Sequence, residues 1–271
     1  MSYSSFSADG RAGFLPPPPV SVLQFLHPHN LSIIMAKTPR GFIVDRGLSP
    51  IDQQPYVAIM VLRSSNIKTG DMAQVFIIRP DIHPLEAIIT GSDYTICGSC
   101  SHRRKWNAEL VKFTRSCYVD VGKSVGAVYR AFARGSYPEY DPSLHSKYLR
   151  GRRIRWGAYG DPAILNPDVV GDLNALASGH TGYTHQWRES WAEWAKGLFQ
   201  ASCDGMADYI DASGAGWKTF AVIPKDTVPY SGKLCPATAE GSSAQCVTCR
   251  LCDGAKTDIF VEAHGIGAAY V

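Results

Sequence analysis

This sequence of 271 residues lacks two kinds of segment. No stretch approaches the ~20 uninterrupted apolar residues that a membrane-spanning helix needs. The first twenty residues also lack the basic region, followed by an apolar one, that marks a secretory signal. We therefore expect no membrane association and a cytoplasmic protein, in which thiols stay reduced.

The sequence also lacks a large excess of either charge sign. It has 27 Lys and Arg residues and 24 Asp and Glu residues, for a formal net charge of +3. Nucleic-acid-binding domains usually concentrate far more basic residues on one face, so this balance permits such binding without arguing for it. The hydrophobic content of 45 % is ordinary for a globular protein, and a chain of this length buries a substantial core without cross-links.

The chain divides into two parts. Residues 1–38 are rich in serine at the start and contain four consecutive prolines, Pro16 to Pro19, which favour an extended conformation. We predict a disordered or extended N-terminal segment over 1–38 and a single α/β domain over 39–271.

Short apolar runs alternate with helical patterns in the second part. Strands are predicted at residues 57–62, 74–78, 85–90, 154–158, 180–184, 217–223 and 258–262, and helices at 121–134, 167–176, 187–199 and 205–212. This alternation with short connections indicates a parallel sheet with helices packed outside. The preferred form is a closed or partial barrel, followed by a cysteine-rich C-terminal loop; an open doubly wound sheet is the alternative.

Four of the eight cysteines lie near the C-terminus, at Cys235, Cys246, Cys249 and Cys252. Three thiolates, each separated from the next by two residues, with a fourth from a distance, suit a four-iron cluster. Zinc also accepts four thiolates, but it is usually bound by two separated Cys-x-x-Cys pairs. The spacing favours an iron–sulfur cluster, and zinc is the alternative.

A second set comprises Cys97, Cys100 and Cys117, with the remaining cysteine at Cys203. We predict a second metal site here, the alternatives being a redox dithiol and structural thiols. Because Cys97 is expected to follow one strand and Cys203 to end another, both are expected at one rim of the sheet. Cys203 is the candidate fourth ligand, and His102 is its substitute. Two four-iron clusters, or one larger assembly, would then be held by all eight thiolates.

Other polar residues also follow predicted strands. Asp161, His185 and His264 are the candidate catalytic residues, able to act on protons or on a substrate. The alternative for Asp161 is a cap of the next turn, and a histidine at such a position often only bonds to the backbone. Two basic runs, at residues 102–105 and 150–155, could contact phosphate or form ordinary solvated surface.

Several short motifs occur in a fixed order between residues 57 and 270. They are Ser-Asn-Ile-Lys-Thr-Gly at 65–70, the Cys97, Cys100 and Cys117 group, Arg-Trp-Gly at 155–157 with Gly160 and Asp161, Gly-Tyr-Thr-His at 182–185, Ser-Cys-Asp at 202–204, and Cys235-Pro236 with the triple-cysteine run. This set resembles the bacteriophage "gene product eighty-eight" family, and its layout is similar to the barrel core of radical S-adenosylmethionine enzymes. The resemblance implies a phage-encoded iron–sulfur protein in an infected bacterial cell. The Cys-x-x-x-Cys-x-x-Cys spacing of those enzymes is missing, which argues against S-adenosylmethionine as a cofactor.

The main functional hypothesis is a redox enzyme that acts on a small molecule at a cluster in the barrel rim, and its partners are that substrate or an electron donor. The second hypothesis is a nucleic-acid-binding protein without catalysis, stabilised by zinc or iron–sulfur sites.

Overall fold

The computed structural model describes residues 38–224, 227, 231–239 and 241–263. Pro39–Val271 forms one unit, separate from Met1–Thr38. The N-terminal segment predicted over residues 1–38 lies, apart from Thr38, outside the described residues.

The described residues form two five-stranded sheets and one hairpin. The strands are β1 Gly41–Leu48, β2 Pro55–Val61, β3 Ala73–Ile78, β4 Lys105–Asn107, β5 Lys112–Thr114, β6 Arg153–Tyr159, β7 Gly179–Thr181, β8 Tyr183–Thr184, β9 Gln200–Cys203, β10 Thr219–Ile223, β11 Lys233–Leu234 and β12 Ile259–Glu262. The first sheet has the order β1-β2-β3-β6-β7, the second has the order β11-β12-β10-β9-β8, and β4 pairs with β5.

Most of the pairing is parallel. β1, β2 and β3 pair antiparallel, whereas β3, β6 and β7 in the first sheet and all neighbours in the second sheet pair in parallel. Only Gly182 separates β7 from β8, so one extended segment contributes to both sheets. The prediction of a mixed α/β fold with parallel strands is confirmed. No closed barrel is found in the described ranges.

Helices connect the parallel strands. They are α1 Pro84–Thr90, α2 Tyr94–Cys97, α3 Gly126–Ala133, α4 Pro142–His145, α5 Pro167–Leu176, α6 Met206–Gly214 and α7 Cys246–Cys249, with a π-helical turn at Val121–Val125 before α3. None of the helices in the described part of the chain combines the length and apolar character needed to cross a membrane.

Two predicted elements are wrong. Residues 85–90 were expected as a strand, but they lie in α1, which Pro84 begins, the His83 side chain caps and Gly91 ends in a left-handed conformation. Residues 187–199 were expected as a helix, but the described structure has only a short 3₁₀ segment there, Ser190–Ala195. The indole N–H of Trp187 instead donates to the carbonyl oxygen of Ser202 at 3.1 Å.

The core lies around the central strands. Every residue of β3 is buried, as are the five inner residues of β2. A continuous apolar run is typical of a strand covered on both faces. The fully buried Trp156 on β6 and Phe199 just before β9 continue the core from one sheet toward the other.

Candidate functional site

Three polar residues follow three of the parallel strands and lie together. Asp161 comes after β6, His185 after β8 and Asp204 after β9. The backbone N–H of His185 donates to Asp161 Oδ2 at 2.7 Å, and His185 Nε2 lies 3.4 Å from Asp204 Oδ1. β8 and β9 are neighbouring parallel strands of the second sheet, so their carboxyl ends share one edge. Asp161 follows β6 of the first sheet and lies beside them because β7, the parallel neighbour of β6, leads directly into β8.

Asp161 organises this edge from a buried position. Its Oδ1 accepts a hydrogen bond from the backbone N–H of Ala163 at 3.0 Å, which is the turn cap considered from the sequence. Burial raises the pKa of the Asp161 carboxyl, and the charge of His185 opposes that rise. Its contacts fix the backbone of both neighbouring loops, whereas its predicted catalytic role stays a prediction.

The first cysteine set lies beside this edge. Cys97 ends α2, and a Cβ at the next residue, Gly98, would overlap the side-chain amide of Gln186. Cys100 Sγ lies 3.7 Å from His185 Nε2. Burial raises the pKa of the Cys97 thiol, and negative charge on Cys100 and on Cys117 raises it further. The backbone N–H of Cys117 donates to the carbonyl oxygen of His102 at 3.1 Å, which holds Cys117 close to the loop that carries Cys100.

Cys203 has different surroundings from the other cysteines. Its side chain is fully buried in the core, and its thiol lies 3.5 Å from the carbonyl oxygen of Ala201. Burial raises its pKa to about 12. The residue from this strand end that contacts the histidines is the next one, Asp204. A role for Cys203 as a ligand stays a prediction.

Asp204 collects three hydrogen-bonding side chains. His102 Nε2 lies 2.9 Å from its Oδ1, and the Ser101 hydroxyl donates to its Oδ2. Burial is the largest single influence on the pKa of the Asp204 carboxyl, and it raises that pKa. The hydrogen bonds from His102, His185 and Ser101 together outweigh burial and hold the pKa well below the usual range. The same contact with Asp204 helps raise the pKa of His185 well above its ordinary value, although burial acts against it.

The second cysteine set lines one pocket of about 360 Å³, a volume that includes space open to solvent. All four predicted ligands, Cys235, Cys246, Cys249 and Cys252, belong to its lining, together with Tyr183 from β8. Burial raises the pKa of Cys252 to about 12 and also raises that of Cys246, and the other thiolates of the set add to both effects.

The turn at residues 66–70 anchors the segment that carries three of these cysteines. The backbone N–H groups of Cys246 and Val247 donate to the carbonyl oxygens of Lys68 and Thr69 at 3.0 and 3.1 Å. Gly70 has a φ of +68°, and a Cβ there would lie 2.6 Å from Val247 Cγ1. The motif at residues 65–70 therefore supports the C-terminal cysteines.

Two buried arginines on β6 lie near this pocket. Arg155 and Arg153 are both buried, and neither has a carboxylate within 4.0 Å among the described residues. Burial disfavours the charged form of Arg155, but negative charge on Tyr118, Tyr183 and Cys246 outweighs it and raises the pKa. Two cations thus lie inside the protein near the thiols.

The basic runs are largely engaged within the protein. Arg103 donates to Asp93 at 2.6 Å and to the carbonyl oxygen of Gly91 at 2.7 Å. Arg152 pairs with Asp71 at 3.1 Å, and Arg155 donates to the Tyr118 hydroxyl at 2.7 Å. The remaining candidate catalytic residue, His264, lies outside the described residues.

No family model, curated protein or solved structure matches this chain.

Proposed function

We propose that this chain is an iron–sulfur protein in which Cys235, Cys246, Cys249 and Cys252 hold a four-iron cluster, and that it acts as a redox enzyme on a small molecule. The observation that carries the proposal is the pocket where these four thiols lie near buried arginines.

The charges support an anionic group in this pocket. A buried cation is costly unless an anion compensates it. No ion pair in the described ranges joins Arg155 to a carboxylate, whereas the charge of Asp253 compensates Arg153 in part. Negative charge on Cys246 favours the charged form of both arginines. Four thiolates around a cluster carry the negative charge that two guanidinium groups neutralise.

The order of the cysteines in the sequence supports a cluster over zinc. Cys246, Cys249 and Cys252 are each separated from the next by two residues, and Cys235 comes from further away, which suits the four irons of a cubane. Zinc is usually bound by two separated Cys-x-x-Cys pairs.

When bound, the cluster supplies one-electron transfer. The Tyr183 hydroxyl hydrogen-bonds to the Cys252 sulfur, and the Arg155 charge lies near Cys246. Both interactions favour added negative charge and so raise the reduction potential.

A second cluster on Cys97, Cys100 and Cys117 is part of the proposal. It rests on the two-residue separation of Cys97 and Cys100 and on the hydrogen bond that the backbone N–H of Cys117 donates to the carbonyl oxygen of His102, two residues after Cys100. Asp161 and His185 at the adjacent strand ends would face a substrate there. S-adenosylmethionine is not proposed. A partial barrel formed by the two sheets, and an infected bacterial cell as the setting, complete the proposal.

Nucleic-acid binding draws less support. The guanidinium groups of Arg103, Arg153 and Arg155 bond to groups within the protein. Phosphate contact would have to compete with those bonds.

Anaerobic purification tests the cluster. We expect a brown protein with acid-labile sulfide and at least about four irons per chain. Cys246→Ser and Cys249→Ser should each lose most of the iron assigned to this pocket, because a serine hydroxyl is a poor ligand for iron in such a cluster. Cys203→Ala is the matched control, since its sulfur lies in the core and outside this pocket, and it should keep the iron assigned to this pocket. A colourless protein that carries zinc and no sulfide would contradict the proposal.

A further inference from the structure

Three side chains beside the first cysteine set converge on one point. His102, His185 and Asp204 have one ligand atom each, all within 4.8 Å of one another, and they form the one such group of His, Cys, Asp or Glu residues in the described ranges. Their side chains are between 17 and 22 % exposed, so an ion would lie in a partly enclosed place that a small molecule can still reach.

The distances between these atoms suit a single ion. Asp204 Oδ1 lies 2.9 Å from His102 Nε2 and 3.4 Å from His185 Nε2. Ligand atoms around a tetrahedral ion with bonds of about 2.0–2.2 Å are separated by about 3.3–3.6 Å. Small rotations of the side chains would bring all three atoms to bonding distance. The two imidazole rings meet edge to face, at an interplanar angle of 80°, so their nitrogens approach from different directions.

Neighbouring groups hold each of the three residues in place. His102 Nδ1 bonds to the Ser116 hydroxyl at 2.7 Å, and the Ser101 hydroxyl donates to the second carboxylate oxygen of Asp204. The backbone N–H of His185 is fixed by Asp161. Histidine ligands usually have their other nitrogen bonded in this way, which fixes the tautomer and the direction of the ring.

We propose that His102, His185 and Asp204 bind one divalent transition-metal ion, Zn²⁺ or Fe²⁺, through Nε2, Nε2 and a carboxylate oxygen. Two histidines and one carboxylate leave coordination positions open, which is the arrangement of catalytic rather than structural metal sites. Cys100, 3.7 Å from His185 Nε2, lies beside the ion. This site is distinct from the C-terminal cysteine pocket, whose lining contains none of the three residues, and it adjoins the first cysteine set at Cys100.

Zinc loading of the full-length protein tests the site. The protein is incubated with ZnCl₂, freed of loose metal on a chelating resin, and analysed for zinc per chain and by X-ray absorption at the zinc edge. We expect His102→Gln and Asp204→Asn each to lose one zinc equivalent relative to the parent. In the parent protein, the zinc that these variants lose should have nitrogen and oxygen neighbours with at most one sulfur. Zinc bound in the C-terminal pocket would instead have sulfur neighbours.

His83→Gln is the control, because His83 caps α1 and belongs to no such group, and it should keep all its zinc. Circular dichroism reports on folding. If Asp204→Asn unfolds, the zinc content of His102→Gln decides whether the site exists, since that variant keeps the Asp204 carboxylate. Equal zinc content in the parent and in His102→Gln, or a shell of sulfur alone, would overturn the proposal. The iron and sulfide content of these variants separates this result from the fate of the cluster.

Discussion

Arg155 brings a guanidinium group into the interior on the strand β6. Its hydrogen-bond partner is the exposed Tyr118 hydroxyl, and the thiol of Cys246 is one of the charges that influence it. A cation in this position stabilises whichever redox state of a nearby group is more negative. The residue therefore contributes positive charge near Cys246 in the cysteine pocket.

Replacing this cation should shift the reduction potential of the cluster proposed for this pocket. We expect Arg155→Gln to lower the reduction potential, because the added electron loses a favourable interaction. An interaction of about 1–2 kcal/mol corresponds to about 40–90 mV for one electron. A redox titration followed by electron paramagnetic resonance measures this shift.

Arg150→Gln is the matched control, since Arg150 lies in the same basic run but is exposed. Its potential should match that of the parent protein. Equal potentials in all three proteins would show that Arg155 does not act on a cluster.

The sequence predicted some residues of the site and missed one. The pattern of strand ends brought Asp161 and His185 to the same edge, and the structure has them in contact. It did not single out Asp204, although Asp204 follows β9 directly. Successive residues of a strand point to opposite faces, and the sequence alone does not fix which of Cys203 and Asp204 turns toward the site.

At the scale of elements, local chain signals outweighed residue preference in α1. Its sequence contains two isoleucines and a threonine, which favour strands. A proline at the start, a capping histidine and a left-handed glycine at the end nevertheless define a helix of two turns. The prediction for residues 187–199 was wrong in the opposite direction, since a helix was expected and only a short 3₁₀ segment is present. The tryptophans have helical spacing there because they contact other parts of the core.

The contact between the turn at 66–70 and α7 gives a prediction about the cysteine segment. Gly70→Ala would place a Cβ 2.6 Å from Val247 Cγ1, so the Val247 side chain, or α7 with it, must move away from the turn. We expect a loss of stability of about 1–3 kcal/mol and a lower iron content per chain. Urea unfolding and iron analysis measure the two effects.

Gly135→Ala provides the comparison, because Gly135 has a nearly identical φ of +67° with nothing within 4 Å. It should incur the left-handed backbone cost of about 1 kcal/mol and keep its iron. Adding Val247→Ala to Gly70→Ala should restore part of the iron. If Gly70→Ala behaves like Gly135→Ala, the turn does not support the cysteines.

At the scale of the whole molecule, the segment from β7 to β8 joins the two sheets. Gly182, between these strands, lies against the buried Phe199, and a Cβ there would overlap the ring. The Phe199 ring also contacts Trp156, His180 and Trp194. It therefore has little room to shift.

We expect Gly182→Ala to destabilise the protein by about 1–3 kcal/mol. Unfolding followed by circular dichroism and by tryptophan fluorescence should give coincident transitions, since both sheets share the strained segment. Gly171→Ala, at an exposed position in α5 with nothing within 4 Å, should instead be neutral or stabilise by up to about 1 kcal/mol. Two separate unfolding transitions in Gly182→Ala would contradict the expectation that the two sheets unfold together.

The parallel arrangement of the chain was predictable because strands and helices alternate with short connections. The sharing of one segment between two sheets was not, since it depends on which strands pair across long distances in sequence. The antiparallel start, β1 to β3, also interrupts the expected pattern.

The joining segment also spans the distance between the two groups of thiols. Tyr183 contacts Cys252 in the C-terminal pocket, and His185, two residues further along the backbone, lies beside Cys100. Alternate residues of an extended chain point the same way. Residues 183–185 therefore form a covalent path of three residues between the two places. An electron that passes between groups bound there could follow this path without a diffusing carrier.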